Sequence, residues 1–147
     1  HANSGLSQIE KIRKFIIAKK YGHSYVNCWG DGSPYREFLH SDDLGKACVF
    51  ALESWDPSSK NAPKDENGES LNFLNIGTGL DISIKELAIL IAKELSYEGL
   101  IKWDKSKPNG TPRKLLDISK IKSLGWRPRI SLMEGIKKTI KEVYDNF

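Results

Sequence analysis

The sequence predicts an α/β fold of mixed short strands and helices, a lobe that completes a larger protein. Runs with helical spacing of apolar residues alternate irregularly with short β-rich runs, so no regular strand–helix–strand rhythm appears. The strands are too few for a complete dinucleotide-binding sheet. Neither GxxGxxG nor GxGxxG, the glycine patterns that bring backbone close to a pyrophosphate, occurs in the 147 residues.

The first third of the chain predicts one helix and two strands. Residues 7–20 (SQIEKIRKFIIAKK) are an amphipathic helix, because their apolar residues recur at helical spacing: Ile9, Ile12, Phe15 and Ile16. Residues 24–29 (SYVNCW) alternate and are β-rich, which predicts a strand. The run GDGSP then makes a turn, and residues 36–40 (REFLH) predict a second strand.

A helix, an exposed loop and a buried strand follow. Ser41 or Asp42 is positioned to cap the helix DDLGKACVFALESW, whose acidic first turn suits the positive end of the helix dipole. Residues 56–70 contain no large apolar residue, which predicts an exposed loop. Residues 71–77 (LNFLNIG) predict a buried strand from their β-rich, apolar content.

The second half of the chain contains further sequence signals for the starts and ends of helices. Ser83 with Glu86 forms a capping box for the helix IKELAILIAKEL, and residues 100–103 (LIKW) predict a short strand. A short helix is expected around 117–124, ended by Gly125. A last helix is expected from Ser131, with Glu134 as its capping partner.

Composition favours a globular, cytoplasmic protein without a membrane partner. Hydrophobic residues make up 39% of the chain and aromatic residues 10%, which is too rich for a disordered protein. No apolar run approaches the ~18 residues of a membrane span, and we expect no signal peptide. The only methionine is Met133, so we expect that the chain does not begin at a start codon and is a fragment or a processed product.

Charge and cysteine usage exclude several classes of site. The net charge of +4 is modest, aromatics do not interleave with basic residues, and no nucleic-acid-binding signature appears, so we expect no nucleic-acid partner. Cys28 and Cys48 show no CxxC spacing, and the three histidines are scattered, so no metal site is predicted. The two cysteines are interpreted as core thiols.

Two segments together favour a nucleotide site. Residues 107–114 (KPNGTPRK) contain two prolines and a glycine, and a stiffened loop presents cationic donors at fixed positions. Trp29 offers a flat face for a base or ribose, while Arg36 offers charge-assisted bonds to a diphosphate. The alternatives are a tight basic connection for the loop, a core position for Trp29, and a surface ion pair of Arg36 with Glu37 or Asp42.

Longer strings of the sequence resemble a known family. The run WGDGSPYREFLHSDDLGKACVFAL is similar to the C-terminal half of extended short-chain dehydrogenase/reductases, the NAD-dependent epimerase/dehydratase family. The runs LNIGTG and SKPNGTPRKLLDISKIKSLGW resemble the GDP-L-fucose synthases within that family. This resemblance covers nearly the whole chain from about residue 10 onward.

The resemblance implies a division of labour between two parts of a larger enzyme. In that family an N-terminal Rossmann domain holds NADP and the Ser-Tyr-Lys catalytic set, and the C-terminal lobe closes over the GDP-sugar. The implied reaction is 3,5-epimerisation and NADPH-dependent 4-reduction of GDP-4-keto-6-deoxy-D-mannose, and the family resemblance also implies a homodimer.

By position, five residues fall where the family contacts the GDP-sugar: Lys14, Trp29, Arg36, Asn109 and Lys114. Asn109 stands where aspartate is common, so it keeps an acceptor oxygen but lacks the charge. No tyrosine is followed by lysine four residues later, so we expect no catalytic or cofactor-binding residue in the chain, which alone should be inactive.

The resemblance also divides the chain. Residues 7–147 correspond to the nucleotide-sugar-binding lobe, whereas residues 1–6 are interpreted as divergent or foreign. A family histidine near the nicotinamide aligns with Leu6, and His1 is out of step by five residues, so His1 receives no catalytic role.

The sequence is also compatible with three other functions. They are the substrate lobe of another nucleotide-sugar epimerase or dehydratase, a non-catalytic nucleotide-sugar-binding module, and a small basic nucleic-acid binder. GxxGxxG and YxxxK in the upstream gene sequence would distinguish an enzyme from a binding module.

Overall fold

A computed structural model describes residues 8–145 of the chain, with side chains from residue 10 onward. Residues 1–6, interpreted above as divergent or foreign, lie outside the described range. The elements in chain order are α1 (Gln8–Lys20), β1 (Tyr25–Trp29), β2 (Tyr35–Glu37), α2 (Ser41–Ser54), β3 (Asp81–Ser83), α3 (Ile84–Glu94), β4 (Leu100–Asp104), β5 (Arg113–Lys114), α4 (Ser119–Ser123) and α5 (Leu132–Asp145). The fold is therefore α/β with short strands, as the sequence predicts.

The described chain divides into two compact units. The first unit contains residues 8–36, 82–114 and 132–145, and the second contains residues 37–81 and 115–131. No helix in the described range is long and apolar enough to cross a membrane.

In the first unit, α1, α3 and α5 pack against one another, and α1 also packs on β1. β1 pairs in parallel with β4, with Val26 opposite Ile101 and Cys28 opposite Trp103. The amphipathic helix predicted over residues 7–20 is confirmed as α1, whose Ile12, Phe15 and Ile16 are fully or almost fully buried.

The capping box of α3 forms as predicted. The Ser83 hydroxyl oxygen accepts a 3.1 Å hydrogen bond from the Glu86 backbone N–H, and the Glu86 carboxylate accepts one of 3.0 Å from the Ser83 N–H. Both donors would otherwise lack a partner at the helix start. The box fixes where α3 begins, and Leu87, Ala88 and Ile91 then face the core.

A second sheet has the strand order β3–β2–β5. β2 and β5 are parallel, with Tyr35 opposite Arg113 and Arg36 opposite Lys114. The sequence does not predict β3 or β5. Both are only two or three residues long, and their pairing depends on residues distant in the chain.

The second unit is built around a small apolar cluster. Ala47, Ile118, Ile121 and Trp126 are buried there, with Leu39, Phe50, Leu74 and Ile76 packed against them. The buried carboxylate of Asp43, on α2, accepts hydrogen bonds of 2.8 and 2.7 Å from the backbone N–H groups of Arg129 and Ile130. The carboxylate therefore fastens a distant loop to α2.

Several boundaries differ from the sequence prediction. The strand predicted at residues 36–40 is β2, which ends earlier, at Glu37. His40 is the N-cap of α2, because its Nδ1 accepts a 3.2 Å hydrogen bond from the Asp42 N–H. The prediction that Ser41 or Asp42 is the N-cap is therefore wrong. The short helix expected around 117–124 is confirmed as α4, and the last helix begins at Leu132.

The predicted strand at residues 71–77 is wrong in this chain. No strand occurs between residues 55 and 80 of the described range, where the pairing is limited to an isolated bridge between Lys64 and Ser70. A β-rich segment requires a neighbouring strand to pair its backbone groups, and no described strand pairs with this one. The prediction of two core thiols is also half wrong, since Cys28 is buried whereas Cys48 is exposed.

Candidate functional site

The five residues expected to contact a GDP-sugar all lie in the first unit. Lys14 is on α1, Trp29 ends β1, Arg36 is in β2, Asn109 is in the loop before β5, and Lys114 ends β5. The site is therefore assembled from segments almost one hundred residues apart in the chain.

Arg36 and Lys114 are direct neighbours across the β2–β5 ladder. Residues in register on adjacent parallel strands project their side chains to the same face of the sheet, so two cationic side chains emerge side by side. The loop is fixed to β2 just before this pair, because the Tyr35 N–H donates a 2.8 Å hydrogen bond to the Pro112 carbonyl oxygen. The proline-containing loop therefore holds Lys114 beside Arg36.

Asn109 fastens the same loop to the turn that follows β1. Its side-chain oxygen accepts a 2.9 Å hydrogen bond from the backbone N–H of Asp31. Gly30 makes this approach possible, since its φ is +78° and a Cβ there would collide with that oxygen. The structure therefore directs the Asn109 oxygen, which the sequence resemblance assigns to the ligand, toward the protein backbone.

The turn after β1 also contains a carboxylate with a perturbed pKa. Hydrogen bonds from the side chain and backbone of Ser33, and a further one from the Asn109 side chain, lower the pKa of Asp31 from 3.8 to about 2. Asp31 is therefore ionised throughout the neutral range. A negative charge is thus part of this turn, close to the loop that carries the cations.

Trp29 is not a core residue. Its side chain is 43% exposed, and the Lys107 ammonium lies 5.7 Å from the centre of its ring. The strand end that carries it is fixed, because the Gly30 N–H donates a 2.9 Å hydrogen bond to the Asp104 carbonyl oxygen. A partly exposed indole on a fixed strand end, with an ammonium over its ring, is suited to stacking a flat ligand group.

Lys11, which was not predicted from the sequence as a site residue, joins the same positive region. Burial lowers the pKa of Lys11, the nearby charges of Lys14 and Arg36 lower it further, and those of Cys28 and Glu10 oppose the shift. Lys11 precedes Lys14 by three residues, a spacing that places both on one face of α1. That spacing was visible in the sequence. A partly buried ammonium group near two further cations is a favourable environment for an anionic ligand.

Arg36 is not neutralised by the carboxylate next to it in the chain. Within the described range, the Arg36 side chain donates a 2.6 Å hydrogen bond to the Tyr35 carbonyl oxygen and has no carboxylate partner. Glu37 instead accepts hydrogen bonds of 2.6, 2.5 and 3.0 Å from the backbone N–H groups of Thr78, Gly79 and Leu116. This structural use of Glu37 was also missed.

The described residues do not fit a dinucleotide cofactor. A pyrophosphate binds at a helix N-terminus reached from a strand through a glycine-rich turn. Here β1 passes through its turn into another strand, and α1, α2, α3 and α5 each have an acidic residue in the first turn, which repels phosphate. The described residues also contain no group of three or more His, Cys, Asp or Glu side chains able to hold a metal ion.

Comparison with known proteins relates the chain to nucleotide-sugar enzymes. Residues 6–65 match the NAD dependent epimerase/dehydratase family. The chain is 45% identical over 128 residues to GDP-L-fucose synthase 1 of Arabidopsis thaliana, covering 87% of this chain and 36% of that relative. It is 39% identical over 135 residues to GDP-L-fucose synthase of Escherichia coli, covering 92% of this chain and 41% of that relative.

A solved structure supports the same relationship. The fold matches that of a GDP-mannoheptose C4 reductase from Campylobacter jejuni with NADP bound, with a TM-score of 0.75 and 33% sequence identity. This match covers 94% of the present chain and 44% of that structure. The chain thus spans 36% and 41% of the two GDP-L-fucose synthases above, well under half of either. Residues 6–65 thus match the NAD dependent epimerase/dehydratase family, and the chain is similar, over most of its length, to part of the GDP-L-fucose synthases.

Proposed function

We propose that the chain is the GDP-sugar-binding part of an enzyme that forms GDP-L-fucose. The observation that carries the proposal is the in-register pair Arg36 and Lys114, held by a loop that is itself fastened beside Trp29. Two adjacent cations match the two charges of a diphosphate, and the indole matches a base or sugar face. Lys14 and Lys11 extend the positive charge along α1.

Asn109 has a different role in this proposal from the other four residues. Its oxygen is engaged by the Asp31 N–H, so it supports the ligand site by fixing the loop. Any contact of Asn109 with the GDP-sugar is made in addition to this bond. Lys14, Trp29, Arg36 and Lys114 are the residues proposed to touch the ligand.

In the full-length protein, the proposed reaction converts GDP-4-keto-6-deoxy-D-mannose to GDP-L-fucose. The 4-keto group acidifies the protons at C3 and C5, which is why one active site is able to epimerise both carbons before the ketone is reduced. The chain's contribution is to bind and orient the GDP-sugar. NADP and the catalytic residues are proposed to lie outside the chain, consistent with the poor fit of the described residues to a dinucleotide.

The proposal extends to the assembly and location of the full-length protein. The names of the relatives support a biosynthetic enzyme acting on a GDP-sugar, and family resemblance supports a homodimer in the cytoplasm. Neither a nucleic acid nor a membrane is a proposed partner.

The test is an assay of the full-length gene product with NADPH and GDP-4-keto-6-deoxy-D-mannose, with products identified by NMR. We expect GDP-L-fucose, and we expect GDP to inhibit the reaction far more strongly than UDP. Turnover of a UDP-sugar in its place would identify another epimerase or dehydratase. GDP binding without turnover of any nucleotide sugar would identify a non-catalytic binding module.

A further inference from the structure

A cavity of about 540 Å³ lies within the second unit, and three cationic side chains line it. Lys46 is on α2, whereas Arg127 and Arg129 are in the segment that follows α4. Phe50 and Trp126 form an aromatic part of the wall. We call this feature the cationic cavity. Its volume is within the range of about 300–1,000 Å³ that small-molecule sites occupy.

The segment that carries the two arginines is fixed at both ends. The buried carboxylate of Asp43, on α2, accepts hydrogen bonds of 2.8 and 2.7 Å from the backbone N–H groups of Arg129 and Ile130. Before Arg127, the Trp126 side chain is only 7% exposed and packs in the apolar cluster of the unit. The backbone positions of both arginines are therefore set before any ligand binds, which reduces the entropy lost on binding.

Helix α2 adds a third cation and an aromatic ring to the same cavity. Lys46 follows Asp43 by three residues and precedes Phe50 by four, so the three side chains lie on one side of the helix. Lys46 is exposed, whereas Phe50 is half-buried and also packs against the apolar cluster. The cavity lining therefore combines accessible cationic groups with an aromatic wall.

Carboxylates do not balance the positive charge of the cavity. Within the part of the chain whose side chains are described, Lys46, Arg127 and Arg129 form no ion pair and no side-chain hydrogen bond. The only carboxylate among the described lining residues is Asp43, whose charge already accepts two backbone N–H groups. Two positive charges therefore remain, which matches the charge of about −1.5 to −2 on a phosphate ester at pH 7. A cavity lined by one sign of charge concentrates ions of the opposite sign.

We propose that the cationic cavity binds the phosphate ester of a small organic molecule. Lys46 and the two arginines hold the phosphate, since ammonium and guanidinium groups form charge-assisted hydrogen bonds to phosphate oxygens and a guanidinium matches two of them at once. The aromatic wall contacts the organic group, which favours a flat or apolar one. The site uses none of the residues proposed to bind the GDP-sugar, so it does not depend on the proposed function.

Arginine labelling of the full-length protein tests the site one residue at a time. Phenylglyoxal modifies accessible guanidinium groups, and peptide mass spectrometry reports each arginine separately, so phosphate bound elsewhere in the protein does not interfere. Phenyl phosphate at about four times its Kd should slow the modification of Arg127 and Arg129 about fivefold, because only unoccupied protein reacts. Sodium chloride at the same ionic strength should not protect them. Equal protection by chloride, or no protection by phenyl phosphate, would overturn the proposal.

Two substitutions in the second unit distinguish a specific site from a generally cationic surface. Lys46→Ala should raise the phenyl phosphate concentration that half-protects the two arginines about tenfold or more, since one charge-assisted bond is lost. Lys60→Ala removes another exposed cation from the same unit and should leave that concentration unchanged. Equal shifts in the two variants, or no shift in either, would contradict the site.

Inorganic phosphate as a second probe tests the organic part of the ligand. Half-protection should require about tenfold more inorganic phosphate than phenyl phosphate, because free phosphate buries no apolar surface on the aromatic wall. An equal or lower requirement would assign the cavity to free phosphate and overturn the proposal of an ester. If Arg127 and Arg129 react in urea but resist phenylglyoxal in the native protein without any added anion, the rest of the protein fills the cavity and the proposal is wrong.

Discussion

The side-chain oxygen of Asn109 accepts a 2.9 Å hydrogen bond from the backbone N–H of Asp31, and this bond joins the proline-rich loop to the end of β1. A second bond, from the Tyr35 N–H to the Pro112 carbonyl oxygen, holds the loop near its other end. Fastened at both ends and stiffened by proline, the loop has lost its conformational freedom before any ligand arrives, so binding does not have to order it.

Gly30 is predicted to be essential for that attachment. A Cβ at residue 30 would collide with the Asn109 oxygen, so Gly30→Ala should displace the loop. In the full-length protein, this substitution should raise KM for the GDP-sugar about two- to tenfold, which is the equivalent of one hydrogen bond of ~0.5–1.5 kcal/mol. Gly22→Ala is the matched control: its φ of +65° is also positive, but nothing lies within 4 Å of the added atom. Both variants should lose about 1 kcal/mol of stability from the backbone conformation, and an equal KM in both would refute the attachment.

The turn after β1 should weaken at acidic pH. Because the folded-state pKa of Asp31 is lowered to about 2 from 3.8, its contribution to stability is fully present above the unfolded value and is lost as the pH falls through the folded value. The stability difference between the wild type and Asp31→Asn should therefore be constant above about pH 5 and shrink between pH 4 and pH 2. An NMR titration of the Asp31 carboxyl carbon checks the pKa, and a midpoint at the ordinary value would contradict the hydrogen-bonded turn.

Local signals in the sequence predicted local structure well, and non-local structure poorly. The capping box of α3 depends on Ser83 and Glu86, three residues apart, so its outcome could be deduced without knowing the fold. Strand β5 could not, because Arg113 and Lys114 become a strand only by pairing with β2, far away in the chain. Residues 71–77 failed for the opposite reason: their composition is that of a strand, but the described residues contain no partner for it.

Some features of the candidate site could be predicted from the sequence, and others could not. The resemblance of short strings identified five positions, and the register of β2 with β5 explains why two of them, Arg36 and Lys114, belong together. Those short strings do not show in which direction a side chain points. Asn109 is engaged by the Asp31 backbone, and the burial that lowers the pKa of Lys11 depends on packing that the sequence does not show.

Glu37 is predicted to stabilise the second unit. Its carboxylate accepts hydrogen bonds from the N–H groups of Thr78, Gly79 and Leu116, so Glu37→Ala leaves these donors without their partner and should reduce the free energy of unfolding by about 2–3 kcal/mol. Glu66→Ala, which removes an exposed carboxylate in the same unit, should change it by less than about 0.5 kcal/mol. Chemical denaturation of both variants measures the difference, and similar values would mean that the three bonds contribute little.

Arg36 and Lys114 provide the most direct test of the binding site. In the full-length protein, changing either to Ala should raise KM for the GDP-sugar about tenfold or more, since each loses a charge-assisted bond of ~1.5–3 kcal/mol. KM for NADPH should stay nearly unchanged, because the proposed function places NADP outside the chain. Lys60→Ala, which removes an exposed cation from the second unit, is the control for a general effect of net charge.

The double variant asks whether the two cations act on one group of the ligand. Because Arg36 and Lys114 are opposite each other in the β2–β5 ladder, we expect their effects on KM to be non-additive, with a coupling energy above ~0.5 kcal/mol. A coupling near zero would assign them to separate parts of the GDP-sugar. If both single variants bind the GDP-sugar normally but melt at a lower temperature, the two cations stabilise the sheet, and the proposed diphosphate site is wrong.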